Sequence, residues 1–387
     1  MSARVGATVS SSPLTIAGGV AASYLAWLAV ALAQGHGAKD FAIVGQDFLD
    51  RASSSPAIEA NATHAISGTG YDGQFSLFLA QDPERAHEYM HEASYRYARI
   101  LYPLAARAIG EVLRVDVAAA LVLLNIVAVF LGAWALAAWL ERHGSSAWLA
   151  LLVAFAPGTF VSVARDLSDA LAYALVALAV VAFDHRAWWR TLASATLFAL
   201  ALFARETTGV FALVWAGALT LRSPPGERWR KLAAFAALVV APYVAYRAFL
   251  LAWLGEAGFP AQLRPSLVPF DGVTSLAPWD HSELQQIYAF VVPGVFCLFV
   301  ALWALWRRAG GPEVVALAAT AVLYVVLLPE PPYQDFYASS RVALAVMLAF
   351  VLALPALRRM MGSTTWVLLP AVAWFSPWWE LVPVALL

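Results

Sequence analysis

The segment Gly70-Tyr71-Asp72-Gly73-Gln74-Phe75 sets one carboxylate between two glycines and two aromatic rings. Glycines on both sides let the backbone turn tightly and be approached closely. Four further groups of charge stand at the edges of apolar runs. Arg96, Arg99, Arg107 and Arg114 recur at near-helical spacing; Arg165-Asp166 is followed one turn later by Asp169; Arg205-Glu206 forms a third group; Asp335 and Arg341 form the fourth. Guanidinium groups present planar, permanently charged donors suited to phosphate. A carboxylate in the same cavity suits a general base. Together they describe transfer of a group from a lipid phosphate carrier to a hydroxyl. The base deprotonates the acceptor, the hydroxyl attacks the anomeric carbon, and arginine stabilises the departing phosphate. Each group also has a structural reading. Asp72 fits an Asx-type turn, the arginine stripe fits a helix that snorkels at a membrane surface, and the two dipeptides fit self-contained ion pairs between adjacent helices.

One motif competes. His87-Glu88-Tyr89-Met90-His91 matches H-E-x-x-H, which on a helix puts two imidazoles on one face for zinc, with the glutamate acting on the bound water. Its neighbours Asp82-Pro83-Glu84-Arg85 and Glu92 are polar, and nothing singles out a third ligand. A zinc membrane protease is therefore the lesser reading.

These groups need elements to hold them. The chain has 387 residues, of which 62% are apolar and 13% charged, with a mean hydropathy of +0.71. A soluble domain is about half apolar and about a quarter charged, so this composition excludes an ordinary soluble protein. The net charge of −1 offers no basic field for nucleic acid. The single cysteine, Cys297, excludes an internal disulfide. The expected fold is all-α, a polytopic transmembrane bundle of about eleven spans: 14–33, 117–140, 146–163, 168–183, 187–204, 207–221, 232–254, 285–306, 313–329, 340–357 and 365–386. No repeat or linker divides it, so residues 1–387 read as one membrane-embedded unit, with 34–116 as a large outer loop. The stripe from Arg96 to Arg114, with Ile100, Leu101, Leu104, Val112 and Leu113 opposite, predicts an interfacial amphipathic helix kinked or split at Pro103.

The two sets of alternate connections sum to opposite net charge. The amino terminus, 141–145, 184–186, 222–231, 307–312 and 358–364, with the helix ends beside them, hold twelve basic and four acidic residues, a net of +8. The rest of the chain holds twelve basic and 21 acidic residues, a net of −9. Lys and Arg collect on the cytoplasmic side, which puts the amino terminus inside and all five charged groups outside. Several flanking spans are short, so the tips at 165–166 and 205–206 sit near the outer interface, where charge lines cavities or pairs internally.

Tyr71-Asp72-Gly73-Gln74-Phe75, followed by Tyr95-Arg96-Tyr97 and Arg99-Ile100-Leu101-Tyr102-Pro103, resembles a family of bacterial integral-membrane proteins implicated in cell-surface glycopolymer formation, similar to the GT-C glycosyltransferase superfamily. Arg165-Asp166-Leu167-Ser168, Arg205-Glu206-Thr207 and Ser340-Arg341-Val342 fit the same resemblance. It implies a hexosyl- or pentosyltransferase of the cytoplasmic membrane that uses a polyprenyl-phosphate-linked sugar donor and a glycan or lipid acceptor, among membrane lipids, with inversion at the anomeric carbon. It implies Asp72 as base, Asp166 as assisting acid and Arg341 at the donor phosphate. Tyr71, Gln74, Arg96, Arg99, Arg165, Arg205, Glu206 and Asp335 complete the expected substrate site. Many superfamily members have an acid pair where Asp72 is followed by Gly73. That departure leaves no certain cofactor, with Mg or Mn as an open expectation. A lipid-linked-sugar flippase or a non-catalytic assembly partner would share the same spans and arginines.

Overall fold

The structure, a computed structural model, describes residues 12–50, 65–256, 264–363, 365–378 and 381. The described residues are all-helical apart from two isolated bridges, Val44 with Gly70 and Gly45 with Ile66. Every expected span contains a helix, because the apolar runs leave the backbone no partner but itself. The last part of the final expected span, 379–380 and 382–386, lies outside the described residues.

Five helices are long and apolar enough to cross a membrane: Pro13–Ala33, Val117–Arg142, Pro225–Leu254, His281–Trp306 and Phe336–Met361. Expected span 146–163 is a bent pair, Ala147–Ala154 and Pro157–Ala164, which meet at 54°. Pro157 explains the break, since proline starts a helix well but cannot continue the preceding one. Counted as one span, the pair brings the number to six. The helices Asp169–Ala182, Trp188–Ala204, Gly209–Arg222 and Pro312–Ala321 are shorter.

Phe336–Met361 is the axis of the bundle. From Ala343 to Leu357 its side chains are buried on every face. Asp335 caps its start, accepting from the Tyr337 and Ala338 N–H groups at 3.0 and 3.3 Å. Gly158 lets the Pro157–Ala164 helix press against this first turn: a Cβ there would strike the Ser340 carbonyl and, at 2.9 Å, Leu344.

The large loop folds onto the same end as helices Gly73–Gln81, Ala93–Tyr97 and Leu101–Leu113. The arginine stripe is divided at Ala98–Ile100, not at Pro103. Pro103 sits in the first turn of the second helix, where its missing N–H costs nothing. The division turns Arg96 and Arg99 inward. Arg107 faces out and pairs with Glu111 at 3.0 Å, while Arg114 ends the helix in a left-handed conformation. Leu104, Val112 and Leu113 are exposed beside it, an apolar face consistent with a membrane surface.

Candidate functional site

Asp72 begins the Gly73–Gln81 helix, and Gly73 is what brings it against the bundle. A Cβ at Gly73 would collide with the Arg165 carbonyl, so the helix start and the 165–166 turn touch backbone to backbone. Gln74, fully enclosed, holds the loop in shape: it accepts from the Gly45 N–H at 3.1 Å and donates to the Thr69 carbonyl at 2.9 Å.

Charges that lie far apart in sequence meet here in one chain. One Asp72 oxygen accepts from Arg96 Nη1 at 2.7 Å and the other from Arg341 Nη1 at 3.0 Å. Arg341 Nε donates to Asp169 Oδ2 at 3.1 Å, and the other Asp169 oxygen pairs with Arg205. Beside this chain, Arg99 grips Glu206 with two bonds, 3.0 and 2.6 Å, and also meets the Tyr95 hydroxyl. The Arg96 guanidinium lies 4.0 Å over the Phe75 ring. Tyr71 donates to Asp335 at 3.2 Å and accepts from Arg341 at 3.4 Å.

Two cavities meet at Asp72. One, of about 290 Å³, is lined by Asp72, Arg96, Arg99, Arg205, Glu206 and Arg341, with Tyr95, Tyr324 and a run of prolines. The other, of about 240 Å³, is lined by Asp47, Thr69, Tyr71, Gln74 and His91 and shares Asp72 and Arg96 with the first. Burial pushes the Asp72 carboxyl up, but Arg96 and Arg341 outweigh it and hold the group ionised, well below the usual carboxylate range.

Of the expected site residues, Asp72, Tyr71, Gln74, Arg96, Arg99, Arg205, Glu206 and Arg341 converge on these two cavities. Asp335 touches them only through Tyr71, and its carboxylate serves as the helix cap. Arg165 and Asp166 line neither cavity. Arg165 stacks 5.9 Å from the Tyr337 ring. Asp166 sits in a left-handed turn, fully buried, with neither oxygen hydrogen-bonded, and burial pushes its carboxyl well up, toward the neutral acid. The acid that ties the arginines together is Asp169. Its signal in the sequence is an ionisable residue in the first turn of an otherwise apolar helix, a position that demands cationic partners.

The H-E-x-x-H stretch does not form the helical face that zinc requires. Only Ala86–Glu88 makes a short 3-10 turn; the His87 ring packs 4.7 Å from that of Trp253, while His91 faces the smaller cavity. Among the described residues no three His, Cys, Asp or Glu side chains converge on a metal position. Both Asp72 oxygens already face guanidiniums, a donor set unsuited to Mg or Mn.

The Arg99–Glu206 pair predicts a pH dependence. Burial pushes the Glu206 carboxyl up, yet Arg99 outweighs it and lowers it to about 2. The folded value lies below the unfolded one of about 4.3. The pair's stabilisation is therefore complete above the unfolded value and lost as pH falls toward the folded one. The thermal midpoint of the purified protein should hold from about pH 8 to about pH 5 and drop below about pH 4. Glu206→Gln should flatten part of that drop, and an unaltered profile would remove the pair as its cause.

No protein family, no curated protein and no solved structure matches this chain.

Proposed function

We propose that the protein is an integral-membrane glycosyltransferase that moves a sugar from a polyprenyl-phosphate carrier to an acceptor hydroxyl at the outer face of the bacterial cytoplasmic membrane, in the assembly of a cell-surface glycan. The observation that carries this reading is the position of Asp72, an ionised carboxylate in the wall shared by two cavities, one rich in guanidinium groups and one lined by amide, hydroxyl and imidazole groups. The arginine-rich cavity takes the donor phosphate, and the other takes the acceptor.

Asp72 accepts the proton of the acceptor hydroxyl. That oxygen forms its bond to the anomeric carbon from one side as the carbon–oxygen bond to phosphate breaks on the other, which inverts the centre. The phosphate leaves with the bonding electrons, and Arg205 and Arg341 meet its charge. Arg341 contributes a second effect. It binds Asp72 at 3.0 Å and also lines the donor cavity. A phosphate that draws Arg341 toward itself removes a cation from Asp72, and so raises its affinity for a proton when the donor is in place. Asp169 orients both arginines from below.

Purified protein supplied with a labelled polyprenyl-phosphate sugar and an acceptor glycan tests the reading. Label transferred to the acceptor supports it; donor binding without transfer favours a carrier that moves the lipid-linked sugar across the membrane.

The orientation and the count of eleven spans belong to the same proposal. With Cys297 replaced by Ser, a membrane-impermeant maleimide should label Glu84→Cys in intact cells and Arg230→Cys only after permeabilisation. Labelling of both in intact cells would overturn the charge-based topology.

A further inference from the structure

A third, larger cavity lies at the opposite end of the bundle. The Val117–Arg142 helix alone separates the two ends by about 39 Å, at about 1.5 Å per residue over its 26 residues. The cavity has a volume of about 790 Å³ and forms where the last turns of Val117–Arg142, Asp169–Ala182 and Gly209–Arg222 meet the first turns of Trp188–Ala204 and Pro312–Ala321. None of the chemistry assigned to Asp72 uses it.

Its charged groups are not equivalent. Asp184 is engaged: it accepts from the Arg186 N–H at 2.9 Å and pairs with Arg190 at 3.4 Å. Arg190 spends its other donors on the Val181 and Ala182 carbonyls. Glu313 accepts from the Gly311 N–H at 3.0 Å. His143 binds the Trp139 carbonyl and lies 3.9 Å from the Trp139 ring; His185, beside Arg186, is held toward its neutral form by burial. Arg142 and Arg222 remain, and neither has a carboxylate within 4.0 Å among the described residues. A Cβ at Gly311 would stand 2.6 Å from Glu313 Oε2 and 2.9 Å from Arg222 Nη2, so the bare glycine leaves room for both groups at the cavity edge, with the carboxylate tied to the Gly311 N–H.

The end of the bundle that holds the cavity identifies its surroundings. Trp148, Trp189, Trp229 and Trp306 are all strongly exposed and all belong to this end of the bundle. Tryptophans so placed mark the level of lipid headgroups. Two uncommitted guanidiniums, aromatic walls and a position at headgroup depth select a phosphate carried on a lipid.

We propose that this cavity binds the phosphate headgroup of an anionic membrane phospholipid, with Arg142 and Arg222 holding the phosphodiester and Trp139 and Trp189 lying against the glycerol and first acyl carbons. The volume falls within the range of about 300–1,000 Å³ typical of ligand sites. The proposal stands apart from the reaction at Asp72 and survives if that reading fails.

Native mass spectrometry and thermal melting of the full chain in detergent, with phosphatidylglycerol or phosphatidylcholine added, test it. The wild-type protein should retain phosphatidylglycerol and melt higher with it, and respond much less to phosphatidylcholine. Arg142→Gln with Arg222→Gln should weaken retention by about tenfold or more. Arg307→Gln with Arg308→Gln, two exposed arginines at the same end outside the cavity, should change it by less than about twofold. Equal losses in both pairs would show diffuse surface charge and overturn the site. Inorganic phosphate that reproduces the lipid's effect on melting would overturn the lipid as its source. Arg142→Lys with Arg222→Lys covers a glutamine pair that fails to fold: partial loss supports bidentate recognition, and full retention overturns it.

Discussion

Asp72→Asn should lower sugar transfer by about 10²- to 10⁴-fold, the range that a general base supplies, while the protein still folds and still binds its donor. Asparagine fills the same volume and can accept a hydrogen bond, but it cannot take the acceptor's proton. The change also leaves Arg96 and Arg341 without a charged partner at this position. That cost is contained, because Arg341 keeps Asp169 and Arg96 keeps the face of Phe75. The loss should fall on kcat, with donor affinity unchanged or tighter, since both arginines become free for phosphate. Initial rates with purified protein and a polyprenyl-phosphate sugar, alongside a separate measurement of donor binding, separate the two effects. Transfer within about tenfold of wild type would exclude Asp72 as base. Asp72→Glu keeps the carboxylate one methylene out of place, and should retain more transfer than Asn and less than wild type.

The helices were legible because burial in lipid or in a packed bundle leaves only one way to satisfy the backbone, and every apolar run carries a helix. The pairing of the charges was not. Adjacency in sequence admits a local pair within Arg165-Asp166 and within Arg205-Glu206 beside their expected place in the substrate site, yet consecutive residues point apart. Arg205 reaches Asp169, Glu206 reaches Arg99, and Asp166 turns into the core with no partner. Asp169 and Arg341 are 172 positions apart and meet where the axial helix passes the start of the Asp169–Ala182 helix, close to where Gly158 lets the Pro157–Ala164 helix press on it. No local pattern encodes such an encounter. The break in the arginine stripe shows the same limit. Pro103 looks like a breaker in sequence, but three residues into a helix it fits, so the chain divides at Ala98–Ile100 and only Arg96 and Arg99 turn toward Asp72. Composition could place charge at one end of the bundle; which oxygen meets which guanidinium depends on tertiary packing.

Asp169→Ala should cost about 3–5 kcal/mol, the penalty for removing one partner of a buried ion pair, enough to consume a large part of a stability of about 5–15 kcal/mol. Asp169 has no exposed surface, and each of its oxygens faces a different guanidinium. The two arginines do not suffer equally. Arg341 retains Asp72 at 3.0 Å, whereas Arg205 loses its one ion-pair contact among the described residues and keeps the Thr207 hydroxyl at 3.2 Å and the more distant charge of Glu206, at 5% exposure. The expected result is a sharp fall in the thermal midpoint and in the yield of folded protein from the membrane. Because the cost arises from the stranded cation and not from lost volume, Asp169→Ala combined with Arg205→Met should melt higher than Asp169→Ala alone, a non-additivity that marks direct coupling. A double variant no more stable than the single one would show that Asp169 acts through packing. In the stabilised double variant Arg341 still meets Asp72 but has lost its anchor and the neighbouring cation, so donor binding should weaken even where folding has recovered.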